Sequence, residues 1–427
     1  MQTQLAPQYQ ASQLARDAEA IVRKCVHCGF CTATCPTYQV LGDELDGPRG
    51  RIYLIKQVLE GAPATREVQM HLDRCLTCRN CETTCPSGVE YSHLLEIGRD
   101  FVEQAVQRPL AEKATRAALR VGLSSGKFET VLKTAHTLRG VLPKSLQEKI
   151  PEQLPVAKNA TWPQSQHPRK MLLMANCVQP AFDKDVDAAT ARILDAAGIS
   201  LLPPAHTGCC GAMKSHLGDP AGGLDLMRKQ IDAWWPLVNN LQLEAIVSNV
   251  SGCGLMAKEY GHALRHDPAY ADKAQHISSL VRDASELLPA IVEGLVATRG
   301  AEAAAQLGQQ QVVNYHPPCT LQHGQKLKMQ VPDNLKKLGF DIQITPVESH
   351  ICCGSAGTYS ITQPELSRQL RDRKLGHLAF RPASVIASAN IGCISHLQTG
   401  TETPVRHWIH LLDEALQRPS TAQGAAA

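Results

Sequence analysis

The sequence predicts an α+β multidomain chain: an all-helical N-terminal domain followed by two α/β cysteine-rich repeats. Three observations carry this reading. Eight cysteines fall in two tight groups between residues 25 and 85, joined by a stretch of helical periodicity. Eight more recur twice in one register between residues 177 and 393, each time closing a short apolar run. Between the two sets the composition turns basic and then rich in Pro and polar residues, which marks a connector.

The first set reads CVHCGFCTATCP at 25–36 and CLTCRNCETTCP at 75–86. Both halves have the spacing C-x2-C-x2-C-x3-C-P, which holds [4Fe–4S] clusters in two-cluster ferredoxins. A loop with three closely spaced Cys caps three irons. The fourth Cys points away, because the following Pro keeps the chain from curling straight back. Two such halves exchange their fourth ligands. The expected sets are Cys25, Cys28, Cys31 and Cys85 for one cluster, and Cys75, Cys78, Cys81 and Cys35 for the other. Zinc knuckles also use C-x2-C pairs, yet zinc gains nothing from the full pattern occurring twice. The helical domain is therefore expected to be a ferredoxin domain that carries electrons.

Its elements follow in order. Leu14, Ala18, Ile21 and Val22 give residues 12–24 a helical apolar face. Ile52, Ile55, Val58 and Leu59 do the same before Gly61, and a further helix fits 65–74. Thirty-nine residues separate Cys35 from Cys75, and their helical character favours an all-helical domain over a compact β-rich one. Arg49 and Arg51 beside the first loop suit either steadying thiolate charge or an ordinary surface role. Residues 91–108 form another helix.

From Arg108 to Lys170 the chain has twelve Lys+Arg against four Glu and no Asp, an excess of eight. The whole chain carries +3, so the remainder is −5. Segments 111–121 and 127–139 fit basic amphipathic helices, compatible with an anionic membrane surface or with a solvated connector. A net charge this small does not point to nucleic acid. The N-terminus shows no signal-peptide pattern, and no run of about 18 apolar residues suggests a membrane span. Sixteen Cys in a reducing compartment argue for metal ligands over disulfides.

Beyond residue 169 the chain repeats itself. MLLMANC, ISLLPPAHTGCCG and AIVSNVSGC in the first copy answer to QVVNYHPPC, DIQITPVESHICCG and VIASANIGC in the second. Cys177, Cys209, Cys210 and Cys253 correspond to Cys319, Cys352, Cys353 and Cys393. Apolar runs alternating with helices predict parallel α/β units with Cys at the carboxyl ends of strands, where ligands gather in open sheets. Two readings stand for these eight thiols: metal ligands in at least one copy, or small buried residues in packing or at an interface. His316 and His350 are candidate auxiliary ligands, with a solvated or core role as the alternative. No dinucleotide fingerprint, P-loop or hydrolase triad is present, so no catalytic residue is assigned.

Together the two halves resemble the iron–sulfur subunit family of bacterial glycolate oxidase. The stretches CVHCGFCTATCPTYQVLGDELDGPRGRIYLIKQVLEG, HLDRCLTCRNCETTCPSGV, ATARILDAAGIS, CTLQHGQKL, CCGSAGTY and PVRHWIH carry the resemblance almost end to end. It implies two [4Fe–4S] clusters on the eight N-terminal Cys. It also implies a FAD-binding catalytic subunit and a second flavoprotein-like subunit as partners, with electrons passing from glycolate oxidation toward membrane quinone. The location implied is cytoplasmic, peripheral on the inner face of the membrane. Lactate-utilisation proteins, the anaerobic glycerol-3-phosphate dehydrogenase small subunit and heterodisulfide reductase share the plan and are the alternatives. In the last, each repeat ends in C-x-x-C; here Met256 and His396 stand at the second position. The fifth thiolate is missing from both copies, so a non-cubane cluster is not expected. The second copy is the better metal candidate, with His396 as a spare nitrogen ligand. Expected boundaries are 1–108 for the helical domain, 109–169 for the connector, 170–305 and 306–427 for the repeats.

Overall fold

In a computed structural model, which describes residues 1–124, 128–141, 147, 150, 158–206 and 208–418, the first strand begins at Arg169. Everything described before it is helical. Helices Gln13–Lys24, Pro48–Leu59, Arg66–Asp73 and Tyr91–Ala105 form the N-terminal domain around Val22, Ile55, Leu59, Leu94 and Leu95. Ser12 and Thr65 cap two of these helices by accepting N–H groups from Ala15 and Val68. Pro48 opens the third, where its missing N–H costs nothing.

The connector continues as helices Leu110–Ser124 and Phe128–Thr137. Arg108 and Arg116 turn inward, while Lys113 and Lys133 stay exposed. Arg108 meets Asp73 and Glu103, and Arg116 meets Asp73 at 3.0 Å. Of the Pro-rich linker expected after it, residues 151–157 lie outside the described residues.

The remaining chain builds two four-stranded sheets, all parallel. The first holds β1 (Arg169–Leu173), β2 (Ile199–Leu202), β3 (Ala245–Ser248) and β4 (Val281–Asp283), in the order β2-β1-β3-β4. The second repeats it with β5 (Val312–Tyr315), β6 (Asp341–Gln343), β7 (Val385–Ser388) and β8 (Val405–His407), in the order β6-β5-β7-β8. The sequence reading found three strands per copy. The fourth comes from Val281-Arg282-Asp283 and Val405-Arg406-His407, each followed by a helix that its third residue caps.

The two sheets bury one continuous core. Leu173 and Val247 of the first share it with Val313, Tyr315 and Ala387 of the second, along with Leu194, Leu288, Trp408 and Leu412 from the helices between them. Polar seams reinforce the contact: Arg192 grips Asp413 through two bonds of 2.9 and 2.7 Å, and Asn390 donates to Ser251.

Candidate metal centres

Each N-terminal Cys motif folds as a loop leading into a short helix. Cys25 and Cys75 follow longer helices, Cys35 caps helix Pro36–Leu41, and Cys85 ends helix Asn80–Thr84. The two loops share a backbone signature. His27 and Thr77 have φ of 61° and 51°, and Gly29 and Arg79 have φ of 84° and 59°. Left-handed residues at matched positions turn the chain tightly enough to bring its thiols to one side. Glycine does this freely, whereas Arg79 does it under strain.

Two adjacent cavities result. One is lined by Cys25, Cys28, Cys31 and Cys85, with Arg49 and Ile52 on its wall. The other is lined by Cys35, Cys75, Cys78 and Cys81, with Arg51 and Thr37. The first also meets Cys81, so it is lined by three thiols of its own motif and two of the other, while the second is lined by three of its own motif and Cys35. Pro48, Cys81 and Tyr91 border both. Cys28 is the exposed member; the other seven are buried or half-buried.

Burial and the neighbouring thiols push Cys31 up to about 11, and they push Cys78 and Cys81 well above the ordinary thiol range. Such thiols lose their protons only to something that neutralises them, which suits soft cationic iron. Donors are already in place for the resulting sulfur charge. The Thr77 N–H donates to Cys75 Sγ at 3.4 Å, the Tyr91 hydroxyl donates to it at 3.6 Å, and Thr37 Oγ1 lies 3.3 Å from Cys35 Sγ.

Behind the second cavity lies a buried ionic knot that sequence reasoning missed. Arg51 is fully buried and donates to the His71 carbonyl at 2.7 Å, to Thr37 Oγ1 at 3.2 Å and to Asp46 at 3.3 Å. Asp46 also binds Arg74 at 2.8 Å and His71 at 3.1 Å. Burial opposes the Arg51 charge, and Tyr91, Cys75, Cys35 and Asp46 more than offset it, raising its pKa. The two arginines thus divide between the cavities. Arg49 lies against Gly29 at the first, where a Cβ would come 2.6 Å from its Nη1.

The helical domain sits on the carboxyl edge of both sheets. Leu76 and Cys78 pack with Cys319, Ile351, Cys352 and Tyr359 of the second repeat. Arg79 makes a two-point ion pair with Glu259 of the first, and the Tyr359 hydroxyl donates to the Arg74 carbonyl at 3.1 Å. His93 stacks on His262 with centroids 3.7 Å apart.

In the repeats the thiols touch one another. All are free thiols; Cys209 interacts as a hydrogen-bonding neighbour with Cys177 and Cys210, and Cys210 with Cys253. The Cys177 and Cys210 thiols, with the N–H groups of Gly211 and Met213, hold Cys209 far below the ordinary thiol range against its burial. Cys319, Cys352, Cys353 and Cys393 form the corresponding chain, all buried. His396 does not join them, because its Nε2 lies 3.0 Å from Ser367 Oγ and is buried there. His350 meets its neighbours through its carbonyl, which accepts from His323 at 2.9 Å.

A helical domain with two adjoining thiol-lined cavities, seated on paired cysteine-rich α/β units, defines an iron–sulfur electron-transfer protein. Residues 21–89 match the 4Fe-4S dicluster domain family, and residues 171–258 and 313–398 each match the cysteine-rich domain family. Among relatives, the glycolate oxidase iron-sulfur subunit of Escherichia coli is 50% identical over 419 residues, covering 98% of this chain and 100% of that one. The probable glycolate oxidase iron-sulfur subunit of Bacillus subtilis is 29% identical over 413 residues, 90% of each chain. Lactate utilization protein A of Bacillus licheniformis is 27% identical over 233 residues, 53% of this chain and 90% of that one. The chain belongs to the family of glycolate oxidase iron–sulfur subunits.

Proposed function

We propose that this chain passes electrons within a complex that oxidises glycolate to glyoxylate on a separate, FAD-bearing subunit. Cys25, Cys28, Cys31 and Cys85 hold one [4Fe–4S] cluster, and Cys35, Cys75, Cys78 and Cys81 hold the other. The observation that carries this is the pair of adjoining cavities, in which thiols of both motifs line each cavity and Pro48, Cys81 and Tyr91 line both. A bound [4Fe–4S] cluster supplies reversible one-electron chemistry, over potentials of roughly −700 to +450 mV set by its surroundings. The protein's part is to insulate and to tune. Ile52, Val89 and Tyr91 screen water, Arg49 and Arg51 bring one cation to each cavity, and Thr77 and Tyr91 donate to Cys75.

Glycolate is favoured over lactate because the relatives named for glycolate oxidase match nearly the whole chain, while lactate utilization protein A matches about half of it. The substrate touches the flavin subunit, and no residue here removes a hydride. Membrane quinone is the acceptor in this reading, reached from a peripheral position. Among the described residues no helix is long and apolar enough to cross a membrane. Helix Leu110–Ser124 leaves Leu110 and Val121 exposed at 85% and 71%, an apolar face suited to a lipid surface or to a second, flavoprotein-like subunit. The two thiol sets of the repeats are candidate further metal sites.

The test is to purify the chain anaerobically and count iron and acid-labile sulfide, with about eight of each expected from two cubanes. Colourless protein without sulfide would end the reading. The isolated chain should carry no flavin and should not oxidise glycolate with an artificial acceptor.

A further inference from the structure

The two N-terminal Cys loops are copies of one design, and one of them shows what its outer face is for. Positions 76, 77, 79 and 80 answer to 26, 27, 29 and 30, as Cys75 and Cys78 answer to Cys25 and Cys28. In the second loop that face is an interface. Leu76 is 4% exposed and packs with Cys319, Ile351, Cys352 and Tyr359 of the second repeat. Asn80, 2% exposed, donates to the His350 carbonyl at 3.4 Å, and Thr83 Oγ1 lies 3.0 Å from His323 Nδ1.

In the first loop the same face is bare. Val26, the counterpart of Leu76, is 68% exposed, and Phe30, the counterpart of Asn80, is 61% exposed. Ala33 stands open where Thr83 is bonded. Cys28, between Val26 and Phe30 in the chain, is the exposed thiol of the eight. Tyr53 extends the face from helix Pro48–Leu59. It too is exposed, and its ring stacks on His27 with centroids 6.2 Å apart and planes 15° apart. Large apolar groups gathered in water in this way mark an interaction site.

Two features choose the occupant. Cys28 brings one corner of the first thiol set to this face, so the partner is one that exchanges electrons. Residues 25–34 hold no Asp, Glu, Lys or Arg, and the bordering cations are taken: Lys24 pairs with Glu90 and Arg49 with Glu44, each at 2.5 Å. A face without free charge does not attract an anionic lipid surface or a carrier steered by charge. It fits the uncharged, aromatic core of a standing protein–protein interface. The loop of the second thiol set offers no such opening, because this chain's own repeats cover it.

Given the function proposed above, we propose that Val26, Phe30 and Tyr53 form the docking face for the FAD-bearing subunit, and that electrons reach this chain at Cys28. Each glycolate oxidised to glyoxylate leaves two electrons on the flavin. They cross this face singly to the centre held by Cys25, Cys28, Cys31 and Cys85, and the two protons go to solvent.

The test uses the full chain, made anaerobically, and the separately purified FAD-bearing subunit. Wild type should bind that subunit and lose its visible cluster absorbance when glycolate is added. Val26→Ser combined with Phe30→Ser should weaken binding at least about tenfold, as loss of interface anchors does. It should also slow the glycolate-driven bleaching, while iron, sulfide and bleaching by dithionite stay at wild-type levels. Phe380→Ser, at an exposed aromatic of the second repeat, should change none of these. In wild type, amide exchange at residues 26–30 should slow when the subunit binds, which decides the matter if the double variant loses its iron. Binding undiminished in the double variant, binding weakened equally by Phe380→Ser, exchange at 26–30 unchanged in the complex, or self-association that the double variant abolishes would each overturn the proposal. A wild-type chain that neither binds the subunit nor is bleached by glycolate would overturn the functional reading, and this docking face with it.

Discussion

Removing Arg51 should destabilise the helical domain by about 3 kcal/mol, at the lower end of the roughly 3–5 kcal/mol for breaking a buried ion pair. Arg51 and Asp46 are both fully buried and 3.3 Å apart. At an effective dielectric of about 20, that separation corresponds to about 5 kcal/mol of attraction. Relief of the arginine's desolvation returns part of it. Asp46 keeps Arg74 at 2.8 Å and His71 at 3.1 Å, which holds the loss toward the lower bound. Arg51→Lys should lie between wild type and Arg51→Met, because lysine restores the charge without the fork that spans Thr37, Asp46 and the His71 carbonyl. Thermal unfolding, followed by helical circular dichroism and by visible absorbance, measures it. At about 2–4 °C per kcal/mol, Arg51→Met should lower the first transition by at least roughly 6 °C. Combining Arg51→Met with Asp46→Asn should cost less than the sum of the two changes. A melting point within a degree of wild type, or strictly additive losses, would refute the reasoning.

Further outcomes are expected. Cys85→Ser should disturb the centre built on Cys25, Cys28 and Cys31, and Cys35→Ser the one built on Cys75, Cys78 and Cys81. Low-temperature electron paramagnetic resonance of the two variants distinguishes the centres, and each variant disturbing its own motif would oppose the crossed assignment. Burial raises the Glu259 pKa, but the His93 ring 3.7 Å away and the hydrogen-bonded Arg79 guanidinium overcome it and hold the group at about 2. Its contribution to docking is therefore fully present above pH about 4.5 and is lost as the pH falls toward 2. Hydrogen exchange at residues 76–80 should become acid-sensitive across that window in wild type and lose that dependence in Glu259→Gln. Gly50→Ala should express poorly or lose about 3 kcal/mol or more, since a Cβ there would sit 2.1 Å from the Glu44 carbonyl oxygen and 2.8 Å from Leu45 Cα, both backbone. Soluble yield and melting point read this out.

Much of the architecture was legible because cysteine spacing and apolar periodicity are local signals. Ser12 and the Ala18, Ile21 and Val22 face fix the first helix, with buried Ala15 on that face and Leu14 left exposed, and the matched Cys registers of the repeats place the thiols at strand ends. What was not legible depends on contacts between distant segments. In sequence Arg51 suits a surface charge as well as one that steadies thiolates; its burial follows from Asp46, Thr37 and His71 converging from three elements. The fourth strands, three residues each, are too short for an alternation pattern, although the shared Val-Arg pair before a capping residue was a usable sign. His396 drew attention because it stands where a related motif has cysteine. On helix Ile391–Gln398, however, three residues beyond Cys393 turns the ring toward Ser367, and the nitrogen near the thiols is that of His316, just after β5.

The core common to both sheets also sets a schedule for synthesis. Arg192 and Leu194, on helix Val186–Ala196 of the first repeat, find their partners Asp413 and Leu412 on the last described helix, Trp408–Gln417, across a separation of 221 residues for the ion pair. At about 5–20 residues per second, a ribosome needs roughly 10–45 s to make that stretch. Until then the side of helix Val186–Ala196 that meets the last described helix has no cover, although the side on the sheet of its own repeat is already packed. Deleting helix Trp408–Gln417 should therefore leave the first repeat insoluble, even though it removes none of that repeat's own residues.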